Sequence, residues 1–364
     1  MPGLSFILLR LGVKVPNKQI LKIIGLIIII VAILMILPTS TGIINKNDTT
    51  PIVLSGSKLI NGLAKPYPAR DFQNISGWIN SKPLSVKQLR GKVILVDFWT
   101  YTCVNCLRTL PYLKDWYAKY HDMGLVIVGT HAPFFNFEHE ESNVSKAVKD
   151  LDIQFPVALD NTLATWRNYY NLACPSYYLI DQKGMVVYKH LSEGDYNITE
   201  NNIRYLLGLK DPIKVAPDGT APSARQTPET YLGFSRSTRY SSPEAMAMGT
   251  RATYTYPKSL DEGAWGLNGA WTIESEKIIS QKSGSALKFK FYGKSITAVM
   301  GASKIIKIKI LIDGKEIKTR KLRIKDQTLY DLVTLPVATS ATLELIAEDP
   351  GLEVYVFSFG DCCS

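Results

Sequence analysis

A strand that leads directly into a pair of cysteines constrains the fold of this 364-residue chain more than any other feature. Residues 93–99 read VILVDFW, and Cys103-Val-Asn-Cys106 follows at the start of a stretch with helical patterning. A strand that is apolar almost throughout belongs to a sheet covered on both faces. Because further apolar runs alternate with helical patterns up to residue 210, the sequence predicts an α/β domain over residues 60–210.

The spacing of the two cysteines predicts thiol–disulfide chemistry. A cysteine at the N-terminus of a helix has its thiolate stabilised by free backbone N–H groups and by the helix dipole. Its attack on a substrate disulfide gives a mixed disulfide, which a second thiol resolves. We therefore predict Cys103 as the nucleophile and Cys106 as the resolving thiol. The alternatives are an inert structural bridge or half of a zinc site, although the four histidines form no pair at ligand spacing.

Asp97 lies inside the predicted strand between Val96 and Phe98, so we expect its side chain to be buried. Burial raises the pKa of a carboxyl group, and such a group near the second sulfur can exchange a proton with Cys106. The alternative is a carboxylate that is satisfied by local N–H groups.

A third cysteine immediately precedes a proline that heads a later strand. The placement predicts a cis peptide bond between Cys174 and Pro175, in a loop that faces the two other cysteines. We expect Cys174 to be a small core residue. The alternative is that it converges with Cys103 and Cys106 as a soft trithiolate for Cu(I) or zinc.

The pattern changes after residues 211–227, which carry three prolines without periodicity and predict a linker. Short strands then recur between turn residues over 228–361, which predicts an all-β, jelly-roll-like sandwich. The predicted strands lie at 286–292, 296–300, 305–312, 341–347 and 352–359. Four aromatic residues in this domain are expected to pack in its core, the alternative being a flat platform for sugar rings: Tyr254, Tyr256, Trp265 and Trp271.

The N-terminal segment predicts the compartment. Residues 1–22 contain four basic side chains, and residues 23–44 carry no charge and begin IIGLIIIIVAILMIL. The length of this uncharged segment and the basic residues before it predict a single transmembrane anchor with its N-terminal end in the cytoplasm. We therefore place the remaining domains outside the cell membrane, after a short linker at 45–59. A cleaved signal peptide is the alternative.

Several segments resemble the thioredoxin superfamily, and specifically its redoxin branch with exported members of the TlpA and DipZ type. They are LRGKVILVDFWTYTCVNCLRTLP, THAPFFNFEHE and NTLATWRNYYN; TPETYLGFSR and YTYPKSLDEGAWGLNGAW resemble the carbohydrate-binding-module-like domain that follows thioredoxin in DipZ proteins. The resemblance implies a redox pair of Cys103 and Cys106, with Asp97 as the buried acid. It also places Pro175 beside the substrate groove. We predict that its neighbour Cys174 and Trp99 of the cysteine motif bind substrate as well.

The chain departs from the family pattern in three respects. Phe134 stands where the family has an acid in its HxPEF segment, and Cys174 stands where an aromatic residue is common. DipZ proteins also possess a polytopic electron-importing domain, so we expect the electron donor here to be a separate membrane or extracytoplasmic protein.

These observations predict a membrane-anchored, outward-facing enzyme that reduces or reshuffles disulfides in exported proteins. We expect no cofactor beyond the Cys103–Cys106 disulfide, no resident metal and, despite a net charge of +10, no nucleic acid partner. One alternative is a thiol peroxidase, indicated by Thr100-x-x-Cys103 but disfavoured by Val96 in place of a proline. The other is a surface protein that binds Cu(I) or a glycan. Cys362 and Cys363 are expected to form a solvated tail, the alternative being an electron shuttle.

Overall fold

The structure is a computed structural model that describes residues 51–218, 226–317 and 322–360. The predicted anchor at 23–44 and the pair Cys362–Cys363 lie outside these ranges. Within them, no helix has both the length and the apolar composition needed to cross a bilayer.

The first domain consists, in chain order, of β1 (Ile52–Leu54), β2 (Tyr67–Pro68), β3 (Trp78–Ile79), β4 (Val93–Trp99), α1 (Val104–Tyr120), β5 (Leu125–His131), a 3₁₀ helix (Asn136–His139), α2 (Glu141–Asp150), β6 (Val157–Leu159), α3 (Ala164–Asn168), β7 (Ser176–Ile180), β8 (Met185–Leu191), α4 (Tyr196–Leu206) and β9 (Ile213–Val215).

Strand β4 is the centre of a seven-stranded sheet with the order β2-β8-β7-β4-β5-β6-β3. It runs parallel to β5 and antiparallel to β7. Its side chains alternate between two apolar clusters: Val93 and Leu95 share one with α1, whereas Ile94, Val96 and Phe98 face the other. The α/β prediction is therefore confirmed, and coverage of both faces explains why β4 is apolar almost throughout.

Helix α1 follows from local capping and from periodicity. Cys103 is its N-cap residue, in an extended conformation. Residues Cys106, Leu110, Leu113 and Trp116 are buried at a spacing of three or four, which places them on one helix face against the sheet. This packing fixes the first turn of the helix, and with it both cysteines, on the core of the domain.

The segments predicted as linkers at 45–59 and 211–227 contain a strand pair. Strand β1 pairs antiparallel with β9, and Gly56 beyond β1 donates its N–H to the Asn201 side chain in α4. The description of both segments as plain linkers is thus wrong for the part of each that the structure describes. The reason is that each strand supplies the backbone partners that the other lacks.

Over residues 226–317 and 322–360, the second domain contains strands and no helix, which confirms its sheet-rich composition. They are β10 (Thr230–Tyr231), β11 (Arg251–Tyr254), β12 (Trp265–Ile273), β13 (Ile278–Ser280), β14 (Ala286–Gly301), β15 (Ile306–Ile312), β16 (Lys315–Glu316), β17 (Arg323–Ile324), β18 (Thr328–Ala347) and β19 (Glu353–Gly360). The two longest, β14 and β18, pair along most of their length, and β12, β13, β19 and β14 hydrogen-bond in a closed circuit. We refer to this unit as the sheet domain.

The loop after β5 carries the contact between the two domains. The rings of Phe135 and Phe137 lie 5.2 Å and 5.0 Å from the ring of Tyr355 in β19, centroid to centroid. The Arg236 guanidinium of the sheet domain lies over the Phe135 ring at 4.9 Å and donates a hydrogen bond to the Phe134 carbonyl oxygen at 3.2 Å. Aromatic packing and a cation–π contact therefore hold the sheet domain beside the loop that borders the cysteine pair.

Candidate active site

Cys103 occupies the position that its spacing predicts, at the N-terminus of α1. The Cys106 N–H donates to the Cys103 Sγ at 3.3 Å, which is the capping interaction of the helix. Cys103 is half-buried, whereas Cys106 is 3% exposed. An accessible sulfur at a helix N-terminus, followed one turn later by a buried sulfur, is the arrangement needed for attack and then resolution.

The third cysteine joins this pair. The Cys174 Sγ lies 3.2 Å from the Cys106 Sγ, and the Cys103 thiol faces the Cys174 carbonyl oxygen at 3.7 Å. The peptide bond between Cys174 and Pro175 is cis, as predicted. Cys174 is half-buried and borders the cavity over Cys103, whereas Pro175 is buried behind it.

The surroundings separate the acidities of the three thiols. Hydrogen bonds from the Cys106 thiol and then the Cys174 thiol lower the pKa of Cys103 well below that of an ordinary cysteine, although burial opposes them. The N–H groups of Cys106 and Asn105 lower it further. Burial raises the pKa of Cys106 and of Cys174 well above the ordinary value. Cys103 is therefore the thiol that ionises first, and thiol donors contribute as well as the backbone amides.

Asp97 is buried, as predicted, at 2% exposure. Burial raises its pKa well above the ordinary carboxyl range, and the charge on Cys103 raises it further. Its Oδ1 has no hydrogen-bond partner among residues 51–218, 226–317 and 322–360. The alternative of a carboxylate satisfied by local N–H groups is thus not favoured, because burial without such donors moves the ionisation of the acid to a higher pH.

The sheet domain forms one wall of the site. A cavity of about 230 Å³ opens over Cys103, with Thr102, Val104 and Phe134 on the side of the first domain. The sheet domain contributes Thr227, Glu229, Tyr231 and Ser358. Glu229 accepts hydrogen bonds from the Tyr231 hydroxyl at 2.8 Å and the Ser358 hydroxyl at 2.9 Å. Sequence reasoning missed this wall because these residues lie more than a hundred positions from Cys103 and Cys106.

Glu138 is a second residue that sequence reasoning missed. It is fully buried, and its Oε1 accepts hydrogen bonds from the Thr100 hydroxyl at 2.6 Å and from Thr102. Its Oε2 accepts from the N–H groups of Phe134 and Phe135. Burial raises the pKa of Glu138, and these four donors oppose the rise. The carboxylate thus links the loop before Cys103 to the loop after β5. The signal available in the sequence was an acid close to two phenylalanines, in FNFEH.

Replacing Glu138 by alanine is expected to lower the free energy of unfolding by about 2–4 kcal/mol, because two backbone N–H groups lose their acceptor. Glu138→Gln is the matched control. Its amide oxygen can still accept from both N–H groups, while the threonine hydroxyls can rotate to accept from its NH₂ group. We expect the glutamine variant to lose less than half as much stability in urea unfolding. Equal losses for the two variants would contradict this role.

Trp99 was predicted to bind substrate, and that prediction is wrong. The residue is 3% exposed at the end of β4, and its ring packs edge-to-face on His131 with centroids 5.5 Å apart. It does not border the cavity over Cys103. The physical reason is its place on a central strand, where both faces of the sheet are covered.

The four aromatic residues of the sheet domain do not form an exposed sugar platform. Tyr254, Trp265 and Trp271 are at most 1% exposed, and both indole N–H groups donate to backbone carbonyl oxygens. Tyr256 is half-buried beneath the Lys288 ammonium and donates its hydroxyl to Glu344. Tyr254, Trp265 and Trp271 thus belong to the core of the sheet domain, as expected, whereas Tyr256 lies outside that core.

Comparisons with known proteins agree with the two-domain organisation. Residues 68–207 match the Redoxin family, and residues 227–360 match the family described as "Thioredoxin like C-terminal domain". The ResA thiol-disulfide oxidoreductase of Bacillus cereus is 32% identical over 115 residues, which are 32% of this chain and 64% of that protein. The first domain is therefore similar to thioredoxin-like thiol–disulfide oxidoreductases.

The Protein DipZ of Mycobacterium bovis is 37% identical over 303 residues, which are 80% of this chain and 43% of that protein. The chain thus spans about two fifths of the length of this relative. Among solved structures, StoA of Bacillus subtilis is 21% identical, with a TM-score of 0.32 and coverage of 37% of this chain and 96% of that one. The two family matches and the identity with Protein DipZ make this chain similar to thioredoxin-like proteins of the DipZ type.

Proposed function

We propose that this protein is a membrane-anchored thiol–disulfide oxidoreductase that faces outward and reduces or reshuffles disulfides in exported proteins. One observation carries the proposal: an acidic, accessible Cys103 lies at a helix N-terminus, with a buried and less acidic Cys106 one turn along. This asymmetry assigns a different step to each sulfur.

The first step forms a mixed disulfide. The Cys103 thiolate attacks one sulfur of the substrate disulfide, a new S–S bond forms, and the other substrate sulfur leaves as a thiolate. The lowered pKa of Cys103 gives it a larger ionised fraction than an ordinary cysteine has at the same pH. Thr102 and Val104 flank the sulfur in the cavity through which the substrate enters.

The second step releases the reduced substrate. Cys106 loses its proton and attacks the Cys103 sulfur, so the Cys103–Cys106 disulfide forms and the second substrate thiol leaves. We propose that Asp97 takes this proton, because burial makes it a stronger base than an ordinary aspartate. The substrate gains two electrons, and a separate membrane or extracytoplasmic donor must reduce the enzyme again.

The size of the cavity limits the substrates. At about 230 Å³ it is below the roughly 300–1,000 Å³ of drug-sized ligand pockets. It accommodates a few side chains around a disulfide, and the sheet domain closes one side. We therefore propose that substrates present their disulfide on an extended or flexible segment, with Cys174 bordering its path and Pro175 supporting Cys174 from the buried side.

The location follows from residues 23–44, which we propose as a single transmembrane anchor with the basic residues 1–22 in the cytoplasm. Both described domains then face the exterior. A fusion of a periplasm-dependent or cytoplasm-dependent reporter after residue 50 tests the orientation. Activity of the cytoplasm-dependent reporter would contradict an outward location.

A trapping experiment tests the function. In a chain that carries Cys106→Ser, Cys174→Ser, Cys362→Ser and Cys363→Ser, no second cysteine remains to resolve an adduct on Cys103. We expect disulfide-linked complexes that dissolve on addition of dithiothreitol. The matched control adds Cys103→Ser and should yield none. The proposal fails if no adducts form and the unaltered chain does not reduce insulin.

A further inference from the structure

The proposed reaction uses two thiols, whereas the structure brings three together. Cys103 and Cys106 come from the first turn of α1, and Cys174 comes from the loop before β7. Their Sγ atoms all lie within 4.8 Å of one another, and all three thiols are free. The approach of Cys174 therefore needs an explanation that the disulfide chemistry does not supply.

The separations fit a metal centre. A metal–sulfur bond of about 2.3 Å puts the sulfurs of a trigonal site about 4 Å apart. The contact of 3.2 Å between Cys106 and Cys174 and the upper limit of 4.8 Å lie on either side of that value. Small side-chain rotations would bring all three sulfurs to bonding distance.

The donor set selects the metal. Three thiolates are soft ligands, which suit Cu(I) and its low coordination number. Structural zinc requires four ligands, and within the parts of the chain that the structure describes no histidine, carboxylate or further cysteine joins this group. The chemistry of the site thus favours Cu(I) over zinc.

The surroundings provide access and charge compensation. Cys103 borders the cavity between the two domains, which gives an ion a route to the sulfurs. The N-terminus of α1 directs the Cys106 N–H at the Cys103 Sγ and stabilises negative charge there. Cys106 is 3% exposed, so the protein shields a bound ion from water on that side.

We propose that the reduced chain binds one Cu(I) ion through the sulfurs of Cys103, Cys106 and Cys174. Binding releases thiol protons and transfers no electrons. Formation of the Cys103–Cys106 disulfide removes two of the three ligands, so the ion and the disulfide exclude one another. Copper binding is thus a second property of the same cluster, controlled by its oxidation state, and it goes beyond the proposed reductase activity.

The test measures Cu(I) binding to the reduced full-length chain under anaerobic conditions, in competition with a chromogenic Cu(I) chelator. The background carries Cys362→Ser and Cys363→Ser, because that pair could bind copper itself. We expect one Cu(I) per chain. Cys174→Ser should weaken binding by at least about 100-fold, because loss of an outer-shell partner alone costs up to that factor and Cys174 is a direct ligand. The oxidised chain should bind none.

Three results would overturn the proposal: no uptake of Cu(I), unchanged affinity in the Cys174→Ser variant, or tight uptake of zinc without uptake of copper. X-ray absorption provides a second readout, with three sulfur neighbours expected at the metal. Insulin reduction by the same metal-free chains separates this proposal from the reductase function. If the chain reduces insulin but binds no copper, the metal site is rejected and the proposed reductase function stands.

Discussion

Replacing Cys103 by serine is expected to lower the rate of insulin reduction by about 10³-fold or more, as loss of an essential nucleophile does. A serine hydroxyl does not ionise near neutral pH, so the interactions that lower the pKa of Cys103 no longer generate an attacking anion. The loss should appear in the formation of the mixed disulfide, measured by mass spectrometry in a single turnover.

The matched control carries Cys106→Ser and Cys174→Ser, which keeps the nucleophile and removes both neighbouring thiols that could resolve its adduct. It should form the mixed disulfide in the first turnover and then stop. A Cys103→Ser chain that retains more than about a tenth of the rate would show that another thiol attacks the substrate. Cys174 would then be the first residue to test, because it borders the same cavity.

Replacing Asp97 by asparagine is expected to slow resolution of the mixed disulfide by about 10²–10⁴-fold, the usual contribution of a positioned acid or base. Only the ionised carboxylate accepts a proton, so resolution by the natural enzyme should become faster as the pH rises through the raised pKa of Asp97. The asparagine variant should lose that dependence. Disappearance of a preformed Cys103 adduct, followed between pH 5 and 9, measures both effects.

Asp122→Asn serves as the control for a lost carboxylate, because the Asp122 side chain is 91% exposed after α1. It should resolve the adduct at the natural rate. If Asp97→Asn resolves the adduct as fast as this control, with the same pH profile, Asp97 is not the base. The buried acid would then have no part in the proposed second step.

The local sequence predicted the centre of the fold and the cysteine pair because short-range rules determine them. Strand β4 covers the residues expected from the apolar run 93–99, and α1 begins directly after Cys103, where the pattern becomes helical. The cis bond before Pro175 was also predictable, since a proline that heads a strand restricts the local backbone.

The rest of the site depends on contacts between distant segments, which one sequence does not specify. Glu229 and Tyr231 reach the cavity over Cys103 because the sheet domain docks on the loop that contains Phe135. Trp99 was misassigned because its burial also depends on distant segments. Its neighbours on the sheet cover the ring, and the motif alone does not show this. The sulfur contact of Cys174 likewise depends on where the loop before β7 crosses α1.

Site-resolved alkylation of the reduced chain tests the central claim most directly. The rate of reaction of each cysteine with iodoacetamide is measured against pH by mass spectrometry. The account predicts that Cys103 reacts with a midpoint well below the value of about 8.5 for a free cysteine, while Cys106 and Cys174 titrate well above it. If Cys103 titrates at or above 8.5, its sulfur is not activated and the proposed oxidoreductase mechanism is contradicted.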